Sequence, residues 1–253
     1  MMLKKHLLLV WILALMFSCQ SVHISKIEGQ RLTIDEALGS DKTIETFIKP
    51  YRDRINKTLD SVISYSPTTY TKNQGELNTG LGNLMADAVY DEANPIFKQR
   101  TGKEIDFVLL NHGGIRSIIS KGAITPRTAY ALMPFENSVV VVALKGSQIN
   151  ELFLYLSKAK RAHPVSKQLK LTLNPDYKVS SALIHGSMVD ENKTYYVATN
   201  DYLFNGGDSM IFFQSNVGVE VLNYKVRNVL IDHFKKTDTL KAKRDHRFIK
   251  LKS

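Results

Sequence analysis

Leu109-Leu110-Asn111-His112-Gly113-Gly114-Ile115-Arg116 ends an apolar run and is followed shortly by Gly122-Ala123-Ile124-Thr125. A buried strand over residues 105–110 is expected to stop here, and two glycines then turn the backbone sharply. Glycine reaches φ > 0 and, having no Cβ, lets a ligand approach the main chain closely. Asn111 and Arg116 flank the turn with an amide and a planar cation, groups suited to polar recognition of an anionic ligand. A second stretch, Thr199-Asn200-Asp201-Tyr202-Leu203-Phe204-Asn205-Gly206-Gly207-Asp208, repeats the logic with an aromatic ring and a carboxylate. The two loops are expected to meet over one small polar ligand.

Working outward from these loops, helical spacing of apolar residues predicts a helix from residue 41 to about 64, with Pro50 kinking it or starting its second half. A second helix carries Leu81, Leu84, Met85, Ala88 and Val89 on one stripe, with Asn78 or Thr79 as its N-cap. Thr125-Pro126 begins a short helix, Met133 to Asn137 form a turn, and residues 138–144 are the most β-branched run in the chain. Gly146 opens another amphipathic helix. Residues 169–173, 179–184 and 194–199 read as strands, followed by a C-terminal helix around Leu222 to Phe234 and a final strand near 247–251. Strands and helices without strict alternation predict an α/β (α+β) domain with a mixed β-sheet flanked by helices.

The 253 residues are 43% hydrophobic, enough for a real core. Residues 1–19 read as a signal segment: Lys4 and Lys5, an apolar run from Leu7 to Phe17 short for a bilayer span, then Ser18-Cys19. Such a segment before a lone cysteine is similar to a bacterial lipoprotein signal, with Cys19 as the lipidated residue; an ordinary signal peptide or a short membrane anchor are the alternatives. Residues 20–40 then form a tether and residues 41–253 one domain. The formal net charge of +10 falls to +8 without Lys4 and Lys5, which suits anionic ligands or surfaces. Nucleic acid is a poor candidate, because basic residues cluster only in the C-terminal tail.

The chemistry in the sequence is recognition more than catalysis. His23, His112, His163, His185, His233 and His246 are scattered, none at the spacing of helical metal ligands, so neither a metal site nor catalytic residues are expected in this chain. His112 is tempting as a ligand, but a loop histidine touching ligand or solvent is the alternative. No Gly-x-Ser-x-Gly elbow occurs. Phe135, in a tight Pro-Phe-Glu-Asn turn, and Tyr202 are placed to clamp a flat ring, although each alone also suits core packing. Asp208 can accept hydrogen bonds from a sugar diol, and Arg116 can pair with carboxylate or phosphate.

Asn111-His112-Gly113-Gly114-Ile115-Arg116, Gly122-Ala123-Ile124-Thr125, Leu132-Met133-Pro134-Phe135-Glu136-Asn137, Leu144-Lys145-Gly146 and Asn200 to Asp208, in that order and spacing, resemble the C-terminal domain of the 5′-nucleotidase family. Gly82-Asn83-Leu84-Met85-Ala86-Asp87-Ala88 resembles that domain's early helix. The resemblance covers about residues 41–251. It implies that Phe135 and Tyr202 sandwich a base, that Asn111 and Asn137 bond its edge or another ligand edge beside Gly113 and Gly114, that Asp208 holds ribose hydroxyls, and that Arg116 contacts phosphate. Tyr202 stands where the family commonly has phenylalanine. Residues 74–80 lack the arginine often found there, and Lys167 replaces a glycine near the base.

In the family a metallophosphatase domain with two metal ions does the hydrolysis, and none is recognisable before residue 41. The resemblance therefore implies a substrate-binding half that positions a nucleotide phosphoester for a separate metallophosphatase subunit. The divalent metals are expected in that partner and no cofactor in this chain. The alternatives are a non-enzymatic nucleoside scavenger or sensor, and a scaffold with a vestigial pocket. The expected location is the cell envelope, lipid-anchored on the periplasmic side of the outer membrane.

Overall fold

A computed structural model describes residues 26–35 and 37–252. The signal segment and Cys19 lie outside the described residues. The chain falls into two compact units, residues 1–49 and 50–253. In the first, residues 30–34 make no strand, and Ile27, Leu32 and Ile34 are exposed. Helix α1 (Lys42–Leu59) runs across the division with Pro50 inside it and no buried residue. It ends five residues short of the expected 64, because residues 64–66 form a strand instead.

The second unit contains β1 (Ser64–Ser66), α2 (Gly80–Thr101), β2 (Phe107–Val108), β3 (Gly122–Ile124) and α3 (Pro126–Leu132). These are followed by β4 (Ser138–Lys145), α4 (Gly146–Ala159), β5 (Leu169–Leu173), β6 (Val179–Ile184), β7 (Ser187–Met188) and β8 (Thr194–Asn200). The chain closes with α5 (Asp201–Phe204), β9 (Gly218–Lys225), α6 (Val226–Lys235) and β10 (Phe248–Lys250). Thr79, one of the two expected caps, starts α2: its hydroxyl accepts from the Gly82 N–H at 3.0 Å.

The expected α/β architecture is present, with two mixed four-stranded sheets and a β1–β3 ribbon. One sheet has the order β2-β8-β4-β9, with β2 parallel to β8 and the other pairs antiparallel. The other has the order β10-β5-β6-β7, with only β10–β5 parallel. β4 reads as a continuous apolar run because both of its faces are covered. Val139 and Val141 enter a core with α2, α3 and α6, whereas Val140, Val142 and Leu144 enter another with α4 and the second sheet. Alternation at period two does this sorting. β8 divides likewise, Ala198 to the first core and Val197 to the second.

The C-terminal segment is tied in by charge. The Arg247 guanidinium, nearly buried, forks onto Asp87 of α2 at 2.8 and 2.9 Å, onto Asp245, and onto the Val165 carbonyl. Leu240 N–H donates to the Tyr65 carbonyl, so the end of the chain also closes over β1.

Candidate functional site

β2 and β8 run parallel and end at the same edge of their sheet, where each releases its chain into a loop. Asn111 follows β2 and is 7% exposed. Its side-chain oxygen accepts from Asn200 Nδ2 at 3.3 Å, and Asn200 Oδ1 accepts from Leu203 N–H at 2.9 Å, capping α5. Two buried amides thus link the two loops. Asp201 reaches the third segment: its carboxylate accepts from Ser138 N–H at 3.1 Å, at the start of β4 beside the Phe135–Asn137 turn.

That turn is held from below. Arg227 bonds the Pro134 carbonyl and the Glu136 carboxylate, Lys225 Nζ donates to the Glu136 carbonyl at 2.6 Å, and Val226 N–H donates to that of Asn137. Phe135 remains 41% and Tyr202 45% exposed, so neither aromatic is spent on the core. Arg116 places its guanidinium 6.0 Å from the Phe135 ring centre and makes no ion pair among the described residues. Lys72 Nζ donates to the Ile115 carbonyl at 2.6 Å, pinning the backbone just before Arg116.

The glycines of the first loop do not use the left-handed conformation. Neither Gly113 nor Gly114 has positive φ; residues 112–114 form one 3₁₀ turn. Gly114 is needed for space, because a Cβ there would stand 2.8 Å from Asn111 Oδ1. A Cβ on Gly113 would meet Asn111 Nδ2 at an ordinary 3.6 Å. The left-handed backbone is in the second loop, at Gly206 (φ 89°), Asp208 (φ 52°) and Ser209 (φ 61°). There Gly207 lies so close to the Tyr202 ring that a Cβ would come within 2.5 Å of it. Tyr202 hydroxyl accepts from Asp208 N–H at 3.2 Å and donates to Asp208 Oδ1 at 3.0 Å. A phenylalanine at 202 would lack this tether.

The result is one cavity of about 320 Å³, lined by Asn111, Gly113 and Arg116 from the first loop, Phe135 and Asn137 from the turn, and Tyr202 and Asp208 from the second. That volume suits a small ligand. Of the eight candidate binding residues, Gly114 alone stays off the wall; it supports Asn111 from behind. A larger cavity beside α2 and α6 is lined by groups that satisfy one another, Lys236 with Glu92 and Tyr224 with Asp232.

His112 and Lys167 do not line the cavity. His112 Nδ1 lies 3.2 Å from the Ala162 carbonyl, which selects the Nδ1–H tautomer, and burial lowers its pKa. Lys167 N–H donates to Asp87. His163, 4% exposed, accepts the His112 backbone N–H on Nδ1 at 3.3 Å. Burial drives its pKa down to about 4, against the opposing pull of Asp208. This support for the first loop comes from 51 positions away and leaves no local trace in the sequence. Among the described residues no three His, Cys, Asp or Glu side chains stand together as a metal ion would require.

Fold and cavity together define an α/β domain in which two sheet-end loops and a turn enclose one small cavity. The model of the 5′-nucleotidase C-terminal domain matches residues 57–215, and the chain belongs to that family. It is 32% identical over 179 residues to the cell wall protein Lmo0130 of Listeria monocytogenes, covering 63% of this chain and 22% of that protein. It is 28% identical over 221 residues to the trifunctional nucleotide phosphoesterase protein YfkN of Bacillus subtilis, covering 81% and 15%. The chain thus spans less than a quarter of the length of either relative. In fold it is similar to the 5′-nucleotidase precursor of Thermus thermophilus, with a TM-score of 0.68, 23% identity, and 86% of this chain and 45% of that one covered.

Proposed function

We propose that the domain, taken as residues 41–253, binds a nucleoside or nucleotide and holds its phosphoester for attack by a separate metallophosphatase. The observation that carries this reading is the shared cavity. Two exposed aromatic rings, two amides, a carboxylate and a guanidinium with no ion pair among the described residues line one small space. Base stacking between Phe135 and Tyr202 supplies affinity of roughly 1–3 kcal/mol per base. Asn111 and Asn137 read the base or ligand edge, and Asp208 takes the ribose hydroxyls. Arg116 meets phosphate with a planar, bidentate cation. This chain's part is positioning, which lowers a barrier by fixing the reactants' geometry.

Calorimetric titration of the full chain in detergent with adenosine and AMP tests the binding half. Trp11, the sole tryptophan, lies far in sequence from both loops, so fluorescence is the poorer readout. Micromolar binding, weakened at least tenfold in both Phe135→Ala and Tyr202→Ala, is expected, with AMP tighter than adenosine through Arg116. Binding unchanged in both variants defeats the reading. The subunit half is tested by mixing: equal AMP turnover by a metallophosphatase with and without this chain leaves only a nucleoside scavenger or sensor, which the cavity's self-sufficient set of recognition groups favours as the second reading.

We further propose that Cys19 carries lipid and anchors the domain at the cell envelope, on the periplasmic side of the outer membrane. The Ser18-Cys19 pattern supports the lipid, and the similarity to a protein named for the cell wall supports the envelope location. Two or more acyl chains give stable anchoring. Cys19→Ser is expected to move the protein from the membrane to the soluble fraction, and retention in the membrane would refute the lipid.

A further inference from the structure

A second cavity of about 460 Å³ shares one residue, Asp208, with the first. Its other walls include Tyr155, Lys158, Arg161, His163 and Ser209. Two cations face it, and neither makes an ion pair among the described residues. Lys158 has a structural explanation, since it lies in the last turn of α4 where a cation complements the helix dipole. Arg161 lies beyond the helix and has none.

The backbone at Arg161 is nonetheless held in place. His163 N–H donates to the Arg161 carbonyl at 2.8 Å, a tight turn, and the next carbonyl, that of Ala162, accepts from His112. Tyr155 hydroxyl donates to the Asp208 carbonyl at 2.8 Å, and the Tyr155 and His163 rings lie 5.8 Å apart. The wall between the two cavities is therefore a fixed backbone carrying one exposed carboxylate, and Tyr202 already holds one oxygen of that carboxylate.

We infer that this second cavity is an anion subsite for a phosphate carried on the ribose 2′ or 3′ oxygen of the nucleotide bound in the first. The inference rests on the nucleotide reading above: if Asp208 grips the ribose diol, a substituent on that diol leaves the first cavity at Asp208 and enters the second. A bound phosphate there pairs with Arg161 and Lys158, two charge-assisted contacts. The substrate class is then nucleoside bisphosphates, with the 5′ group at Arg116 and the second phosphate at Arg161.

The test is calorimetric titration of the full chain with AMP, adenosine 3′,5′-bisphosphate and adenosine 2′,5′-bisphosphate, on wild type and Arg161→Ala. The expected result is about tenfold tighter binding of one bisphosphate than of AMP. Arg161→Ala should erase that advantage while leaving AMP affinity unchanged. AMP binding with neither bisphosphate tighter overturns the subsite and leaves the nucleotide reading standing. If no nucleotide binds, the nucleotide reading fails, and inorganic phosphate titrated against the His163 ring resonances decides the subsite. Shifts abolished by Arg161→Ala keep it as an anion site, whereas no shifts, or shifts that Arg161→Ala leaves intact, overturn it.

Discussion

The two loops of the cavity are built on opposite plans. The first, 111–116, is fixed from outside: Asn111 is buried, His163 receives the His112 N–H, Lys72 holds the Ile115 carbonyl, and Arg116 N–H donates to the Leu132 carbonyl. Beyond the Asn200 cap, Asp201 and the Tyr155 bond to the Asp208 carbonyl, the second, 201–209, is tied to itself, through Tyr202 and Asp208 and three left-handed positions at Gly206, Asp208 and Ser209. One loop is a template set by the core, and the other is a clasp whose shape depends on its own side chains. Disturbing the first should cost stability; disturbing the second should cost affinity.

The largest break in that contrast is expected from acid. His163 is held near a pKa of about 4, below the ordinary histidine value of 6.5, by burial. The unfolded chain therefore takes up a proton at this group that the native state refuses between those values, so the contribution of His163 to stability rises from pH 4 to 6.5 and levels off above. The loss on acidification amounts to about 3 kcal/mol. Because a protonated ring cannot accept the His112 N–H, the first loop should lose amide-exchange protection before the second. Urea melts at about pH 4.5 and 7 with equal midpoints would contradict this assignment.

Next comes the pair of adjacent glycines. Gly114→Ala forces a Cβ against the buried Asn111 amide and should lower stability by about 2 kcal/mol. Gly113→Ala meets only an ordinary contact and should fall within about 0.5 kcal/mol of wild type. Equal denaturation midpoints for the two variants would remove the space argument. In the second loop Gly206→Ala, at φ 89°, should cost about 1 kcal/mol. The smallest effect is Tyr202→Phe, which keeps the ring and cuts the tie to Asp208. A nucleoside affinity loss of about 0.5 kcal/mol with an unchanged melting temperature is expected, and a loss as great as that of Tyr202→Ala would mean the hydroxyl, not the ring, does the binding.

The lining of the cavity was legible in the sequence because it is made of turn residues next to strand ends, where amides, rings and charges stand out against apolar runs. Its supports were not. His163, Asn200 and Lys72 act through contacts 43 to 89 positions apart, and no local pattern encodes such distances. Strand β9 escaped because it is an edge strand whose outward positions hold Val219 and Val221 while Glu220 shares the inward side with the buried Leu222, so its apolar pattern does not mark the covered face. Helix α1 shows the converse. Its apolar spacing is helical, yet none of its residues is buried, since periodicity forecasts a face and not what covers it. Of the two glycine properties named from the sequence, the missing Cβ matters in the first loop and the left-handed conformation does not occur there, since conformational freedom and lack of volume leave the same letter.

The closure of the chain end has a consequence for how the protein is made. β10 aligns beside β5, Leu240 bonds Tyr65, and Arg247 clasps Asp87, so elements formed early wait for partners synthesised last. Such distant pairings are slow to form. A chain emerging from the ribosome therefore lacks the strand and the ion pairs that lock this domain until residues 240–250 have appeared.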